Sequence, residues 1–263
     1  MQTPYFPAFR SRLAALGRRT GHALRQTTLA QLQEHLRDFL PPPLLSAEQD
    51  GLNSRERVFS LSLTFECFVW QMLRPRTPCR EVVRQVQALL RLQGRTPVDE
   101  GDSAYVQARQ RLPKGRLEKA LVVTAQAAQG RAQPGRSLQG RPVKVVDCST
   151  TQLPDTQANQ QRYPQPGSQK PGCGFPLLKF LVLFSLASGA VLHVVMAGWR
   201  HHDLRLFRQV WDQLKAGDIG LGDRAYGDYV TLASLPRQGV DVVARLHQKR
   251  KVDFRRKRVS SYN

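Results

Sequence analysis

Acidic residues are scarce in this chain. Twenty Asp and Glu stand against 40 Lys and Arg over 263 residues, a formal net charge of +20. Such a surplus argues against an acidic-substrate scaffold and for a polyanion partner, most often nucleic acid. A basic protein with an Arg-rich composition and no such partner is the plain alternative. Glutamate stops early, with Glu118 the last one. Cysteine is sparse too. Cys67, Cys79, Cys148 and Cys173 form no Cys-x-x-Cys pair, and no His lies at zinc-finger spacing from them. That excludes the common zinc-ribbon and redox patterns, and the four read as reduced structural thiols of a cytosolic protein. The opening Met-Gln-Thr-Pro-Tyr-Phe-Pro lacks the basic and apolar regions of a signal peptide. Long hydrophobic runs are also missing. The most apolar stretch, 175–196, is interrupted by Lys179, Ser188-Gly189 and His193. It reads as two strands around a Ser-Gly turn, not as a membrane span. No long basic amphipathic helix marks a membrane surface.

The first half is helical in pattern. An Arg-rich helix with breaks is expected over 8–40, ended by Pro41-Pro42-Pro43. Its arginines suit either phosphate contacts or a solvated face. A second helix is expected over 55–73, with Phe59, Leu63, Cys67 and Trp70 at near-helical spacing. A third opens at Thr77-Pro78-Cys79, Thr77 as N-cap and Pro78 in the first helical position, with Val82, Val83, Val86, Leu89 and Leu90 as its inner stripe. The pair has the outline of a helix-turn-helix, as many helical subdomains do. Another helix runs from Asp102 or Ser103 to Pro113, where Tyr105, Gln107, Arg109 and Arg111 give a polar basic side. One more spans 115–129. Residues 130–141, with Pro134, Gly135 and Gly140, read as a linker.

The second half is built on Val143-Lys-Val-Val-Asp-Cys-Ser-Thr-Thr. Its β-branched run reads as a buried strand ending at Asp147. After a polar loop over 154–176 come a hairpin (180–187 with 191–196), a helix over 204–214 capped by Asp203, and a strand over 219–222 ending at Asp223. A helix over 227–235 and a strand over 240–245 follow, then a basic block, 249–258. This order predicts a mixed sheet of the α/β or α+β kind. Two strand-end carboxylates can share a divalent metal and serve phosphoryl transfer, although strand-end Asp is also a common turn former and helix cap.

Several stretches together resemble the DDE transposases of the bacterial insertion-sequence-four type. They are Val145-Val-Asp147-Cys-Ser-Thr-Thr-Gln-Leu-Pro-Asp-Thr156, Trp199-Arg-His-His-Asp-Leu204 and Leu221-Gly-Asp223-Arg-Ala-Tyr-Gly-Asp-Tyr229. Ser103 to Pro113 and the basic Arg250 to Arg258 match as well. The resemblance implies a ribonuclease-H-like catalytic core over 142–263, preceded by a helical DNA-binding part over 1–129. It implies Asp147 and Asp223 as catalytic, metal-binding carboxylates, with Mg²⁺ as cofactor and Mn²⁺ able to substitute. It implies double-stranded DNA as partner, both transposon ends and target, a homodimer in the synaptic complex, and a cytoplasmic, nucleoid-associated location. The family's third carboxylate, a Glu in a Tyr-x₂-Arg-x₃-Glu-x₆-Lys helix, has no counterpart here, so the core is expected to be incomplete at its C-terminal end. A catalytically inactive DNA-binding chain is the rival expectation.

Charge alone nominates Arg109, Arg111, Arg224, Arg250, Arg255 and Arg256 for phosphate contacts. Arg224 can instead bias Asp223 toward its charged form, or stay solvated. His201-His202-Asp203 reads as a turn and cap in preference to a metal cluster. Tyr226 reads as core in preference to a base-stacking platform. Asp155 reads as a turn residue, and Cys148 lacks a His partner that would make it a nucleophile.

Overall fold

The computed structural model describes residues 19, 21–46, 58–132, 138–168, 170 and 172–246. The chain divides into two compact units, 1–124 and 125–263.

The first unit is helical: α1 (Leu29–Arg37), α2 (Leu61–Met72), α3 (Cys79–Leu92), α4 (Ser103–Gln110) and the start of α5 (Lys114–Gly130). Residues 21–26 are helical as well, and Thr27-Thr28 separates them from α1. Thr28 caps α1 reciprocally: the Gln31 N–H donates to its hydroxyl, and the Thr28 N–H donates to the Gln31 side chain at 2.9 Å. The expected second helix begins at Leu61, where Ser60 accepts from the Leu63 N–H. At α3 the cap is Pro78, which offers no side-chain hydrogen bond; Thr77 instead gives its carbonyl to Gln71 at 2.8 Å.

The apolar stripes of α2 and α3 meet in one core. Cys67, Trp70, Val82, Val83 and Val86 are all buried there, together with Tyr105 from α4. Burial pushes the Cys67 thiol far up, the nearby Glu66 adding to it, so this cysteine is a packing residue. Gln71 is the polar centre of this core. It accepts from the Tyr105 hydroxyl and the Arg109 guanidinium, both at 3.0 Å. The expected polar side of α4 is therefore corrected. Tyr105 and Arg109, four residues apart, lie on its inner face because a buried glutamine satisfies both. Gln107 stays outside.

The second unit is a mixed five-stranded sheet of order β3-β2-β1-β4-β5. The strands are β1 (Val143–Gln152), β2 (Leu177–Ser185), β3 (Val191–Gly198), β4 (Ile219–Gly222) and β5 (Asp241–Ala244). β1, β2 and β3 pair antiparallel, while β4 and β5 join parallel to β1 and to each other. Between them lie α6 (Gln157–Arg162), α7 (Asp203–Arg208) and α8 (Tyr229–Ser234). The expected polar loop thus contains a short helix, capped by Thr156. The helix expected over 204–214 splits into α7 and a 3-10 turn, Trp211–Gln213.

Alternation along the strands puts Val146, Leu181 and Leu183 on one face, where Leu206, Phe207, Val210, Leu235 and Val240 close a core with Tyr226. The end of the sheet opposite the carboxylates is tied by charge. Lys144 on β1 meets Asp218 at 2.6 Å and donates to the Gln213 carbonyl at 2.7 Å. Arg141 donates to the Gly217 carbonyl at 2.8 Å and pairs with Asp241 on β5. Gly239 turns the chain into β5 with φ +76°, in the left-handed region that favours glycine.

Candidate active site

The ladder between β1 and β4 fixes where the two carboxylates go. Val143 pairs with Ile219, Lys144 with Gly220 and Val145 with Leu221. Two residues further, β1 reaches Asp147 and β4 hands over to Asp223. The two aspartates therefore stand at the same step of adjacent parallel strands, on the face that Val145 and Leu221 share. Neighbouring strands run about 4.8 Å apart, so this register brings the carboxylates together. Asp147 is not at a strand end, contrary to expectation. β1 continues to Gln152, because its Ser and Thr residues stay paired with β2 after β4 has left. Asp147 thus sits at the fork between the two neighbours of β1.

Each carboxylate is oriented by one backbone N–H. Asp147 Oδ1 accepts from the Cys148 N–H at 2.9 Å, and Asp223 Oδ1 accepts from the Ala225 N–H at 2.7 Å. The second contact caps the 3-10 turn Arg224–Tyr226. The other oxygen of each has no hydrogen bond or ion pair among the described residues. Both side chains are exposed. Two fixed carboxylates, each with an oxygen to give, form a hard-donor set that fits Mg²⁺ or Mn²⁺.

Behind this pair lies a second polar group. Lys179, opposite Thr150 in the ladder, donates to Asp203 Oδ1 at 2.7 Å and to the His201 carbonyl at 2.9 Å. Burial alone would raise the Asp203 pKa, but the hydrogen bond and charge of Lys179, with the Cys148 thiol and His202, hold it below its ordinary value. Burial, and after it the Asp203 carboxylate, pushes the Cys148 thiol up to about 11, which removes it as a nucleophile. Tyr226 is buried, and burial first, then Cys148, Asp203, Asp223 and Asp147, pushes its phenol well up. His202, not Asp203, is the N-cap of α7: its Nδ1 accepts from the Leu204 N–H at 3.3 Å. That corrects the capping expectation, since Lys179 has claimed the aspartate. Among the described residues, no cluster of three or more His, Cys, Asp or Glu is arranged to hold a metal.

The nominated arginines separate. Arg224 is exposed beside Asp223. Arg111 is half-buried after α4, and its guanidinium has no side-chain partner among the described residues. Arg109 is engaged inward, on Gln71 and over the Phe68 ring at 5.4 Å. Arg250, Arg255 and Arg256 lie outside the described residues. Sequence reasoning missed the Lys179–Asp203 pair. Its signal was a single lysine in the otherwise apolar strand 177–185, which a half-buried position obliges to find an acid.

The second unit is a mixed α/β domain with paired carboxylates on adjacent parallel strands. Residues 138–262 match the family model described as transposase DDE domain, so such a domain is present over just under half of the chain. Its five-stranded mixed sheet and helices are consistent with the ribonuclease-H-like fold of that domain. No curated protein matches the chain. No described helix is long and apolar enough to cross a membrane.

Proposed function

We propose that the chain is a DNA transposase of the insertion-sequence-four type that cleaves transposon ends and joins them to a target. The observation that carries this is the coincidence of the transposase DDE match with the unit in which Asp147 and Asp223 share one register step. Asp147 and Asp223 would hold a divalent cation, Mg²⁺ or Mn²⁺, through their free oxygens; when bound, it supplies Lewis-acid activation and charge neutralisation at the phosphate. The backbone N–H groups of Cys148 and Ala225 pre-orient the two carboxylates, so little ordering remains for the moment of binding. Arg224 and Arg111 meet phosphates, and Arg250, Arg255 and Arg256 in the basic tail add further contacts. Arg109 serves as a positioning residue of α4 in the helical, DNA-binding part. A homodimer brings two ends together, at the nucleoid.

A second reading has its own support. With no three-ligand cluster among the described residues, a chain that binds transposon ends without cutting them is the rival. One experiment separates the two. The full chain is incubated with supercoiled plasmid carrying insertion-sequence ends, with and without Mn²⁺. The transposase reading expects metal-dependent nicking that falls at least about a hundred-fold in Asp147→Ala and in Asp223→Ala, the loss typical of removing one preorganised electrostatic contact. Salt-sensitive binding that survives both substitutions, with no nicking, establishes the binder instead.

A further inference from the structure

The phenol oxygen of Tyr226 is buried and has no hydrogen-bond partner among the described residues. The side chain is 3% exposed. A buried donor without an acceptor is unfavourable and calls for an explanation. The ring cannot turn away to relieve it. Phe207 meets it edge-on with ring centres 5.2 Å apart. On another side it lies against Gly222, so closely that a Cβ there would fall 2.9 Å from the Tyr226 Cβ. The acids acting on the phenol are Asp203, Asp223 and Asp147, beside the Cys148 thiol. A fixed, unpaired donor therefore sits within an acidic cluster that includes both register-matched aspartates.

We propose that Tyr226 is a positioning residue for this site: its O–H donates to an ordered water on the inner side of the Asp147–Asp223 pair, and that water steadies the carboxylates around a divalent cation. The inference rests on the reading of those aspartates as the metal-holding pair. Small hard cations keep several waters, so an outer donor acts on them through water more readily than by direct contact. The water also resolves the orphan: a polar pocket with several acidic acceptors and one donor is where buried water is retained. Placing Tyr226 three residues after Asp223, on the turn that Asp223 caps, couples the donor to the carboxylate it serves.

The test uses the full chain and Mn²⁺ alone, without DNA, followed by electron paramagnetic resonance, with melting temperature of the metal-free protein as a second readout. Tyr226→Phe removes one oxygen and keeps the ring. The expected result is Mn²⁺ affinity about ten-fold weaker than wild type, with the metal-free melting temperature not raised. Unchanged affinity in Tyr226→Phe, with a raised melting temperature, overturns the inference: the phenol is then an unpaired core filler. Asp147→Ala and Asp223→Ala locate the failure. If both abolish Mn²⁺ binding while Tyr226→Phe leaves it intact, only the role of Tyr226 is lost. If neither affects Mn²⁺ binding, the carboxylate pair and the inference fall together.

Discussion

Asp147 and Asp223 each stand two residues beyond the last ladder pair of β1 and β4, Val145 with Leu221. That relationship depends on the ladder holding its register. A slip of one residue would send one carboxylate to the other face of the sheet. Much of the rest of the second unit can be read as what prevents that slip.

Lys144 and Asp218 anchor the opposite end of the same two strands. Their side chains are 12% and 7% exposed and 2.6 Å apart. Lys144→Ala leaves the Asp218 carboxylate buried without its cation, and is expected to cost about 3 kcal/mol in denaturant unfolding. The double variant Lys144→Met with Asp218→Asn should recover part of that loss. Equal destabilisation of single and double variants would show that the pair does not set the register.

Gly222 is the last residue of β4, and no larger residue fits there. A Cβ would meet Tyr226 Cδ2 at 2.8 Å and Tyr226 Cβ at 2.9 Å, the second of which cannot rotate away. Gly222→Ala should destabilise by about 1–3 kcal/mol, the usual range for overpacking. It should also reduce metal-dependent nicking, because the turn that orients Asp223 must shift. A calorimetric melt and the nicking assay on the same preparation check both.

Gln71 holds the helical unit's buried polar centre. Gln71→Ala strips the Tyr105 hydroxyl of its acceptor and should cost about 1–3 kcal/mol. Tyr105→Phe in the Gln71→Ala background should cost less than it does alone, because the two groups share one interaction. Additive losses in a double-mutant cycle would count against the pairing.

Asp228 sets one acid dependence. Burial alone would raise its pKa, but the Thr231 hydroxyl, the backbone N–H groups of Thr231 and Val230, and Arg208 hold it below its ordinary value of 3.8. A folded pKa below the unfolded one means that the stabilisation is complete above the ordinary range. It is lost as pH falls through 3.8 toward the lower folded value. Asp228→Asn should therefore flatten the acid limb of the stability curve below about pH 4.5 and lower stability at neutral pH. Melting temperatures of both proteins between pH 3 and 7 decide it.

Local patterning determined the elements. Val82, Val83, Val86, Leu89 and Leu90 at helical spacing specify the buried stripe of α3. The short apolar run ahead of Asp223 specifies β4 to the residue. The Val-rich run before Asp147 specifies β1, and both catalytic candidates were legible because an acid directly after such a run is conspicuous. Partner choice was decided only in three dimensions. Whether β1 stops at Asp147 or runs on to Gln152 depends on β2, whose pairing residues lie some thirty positions away. Whether Asp203 caps a helix or binds Lys179 depends on a strand crossing beside it. Whether Arg109 faces a phosphate or a buried glutamine depends on the packing of α2 against α4. Hydrophobic period and turn chemistry act between neighbours in sequence, so the chain reports them directly. Hydrogen bonds and ion pairs between distant groups depend on distances that packing alone sets, and that is why they appear only in the fold.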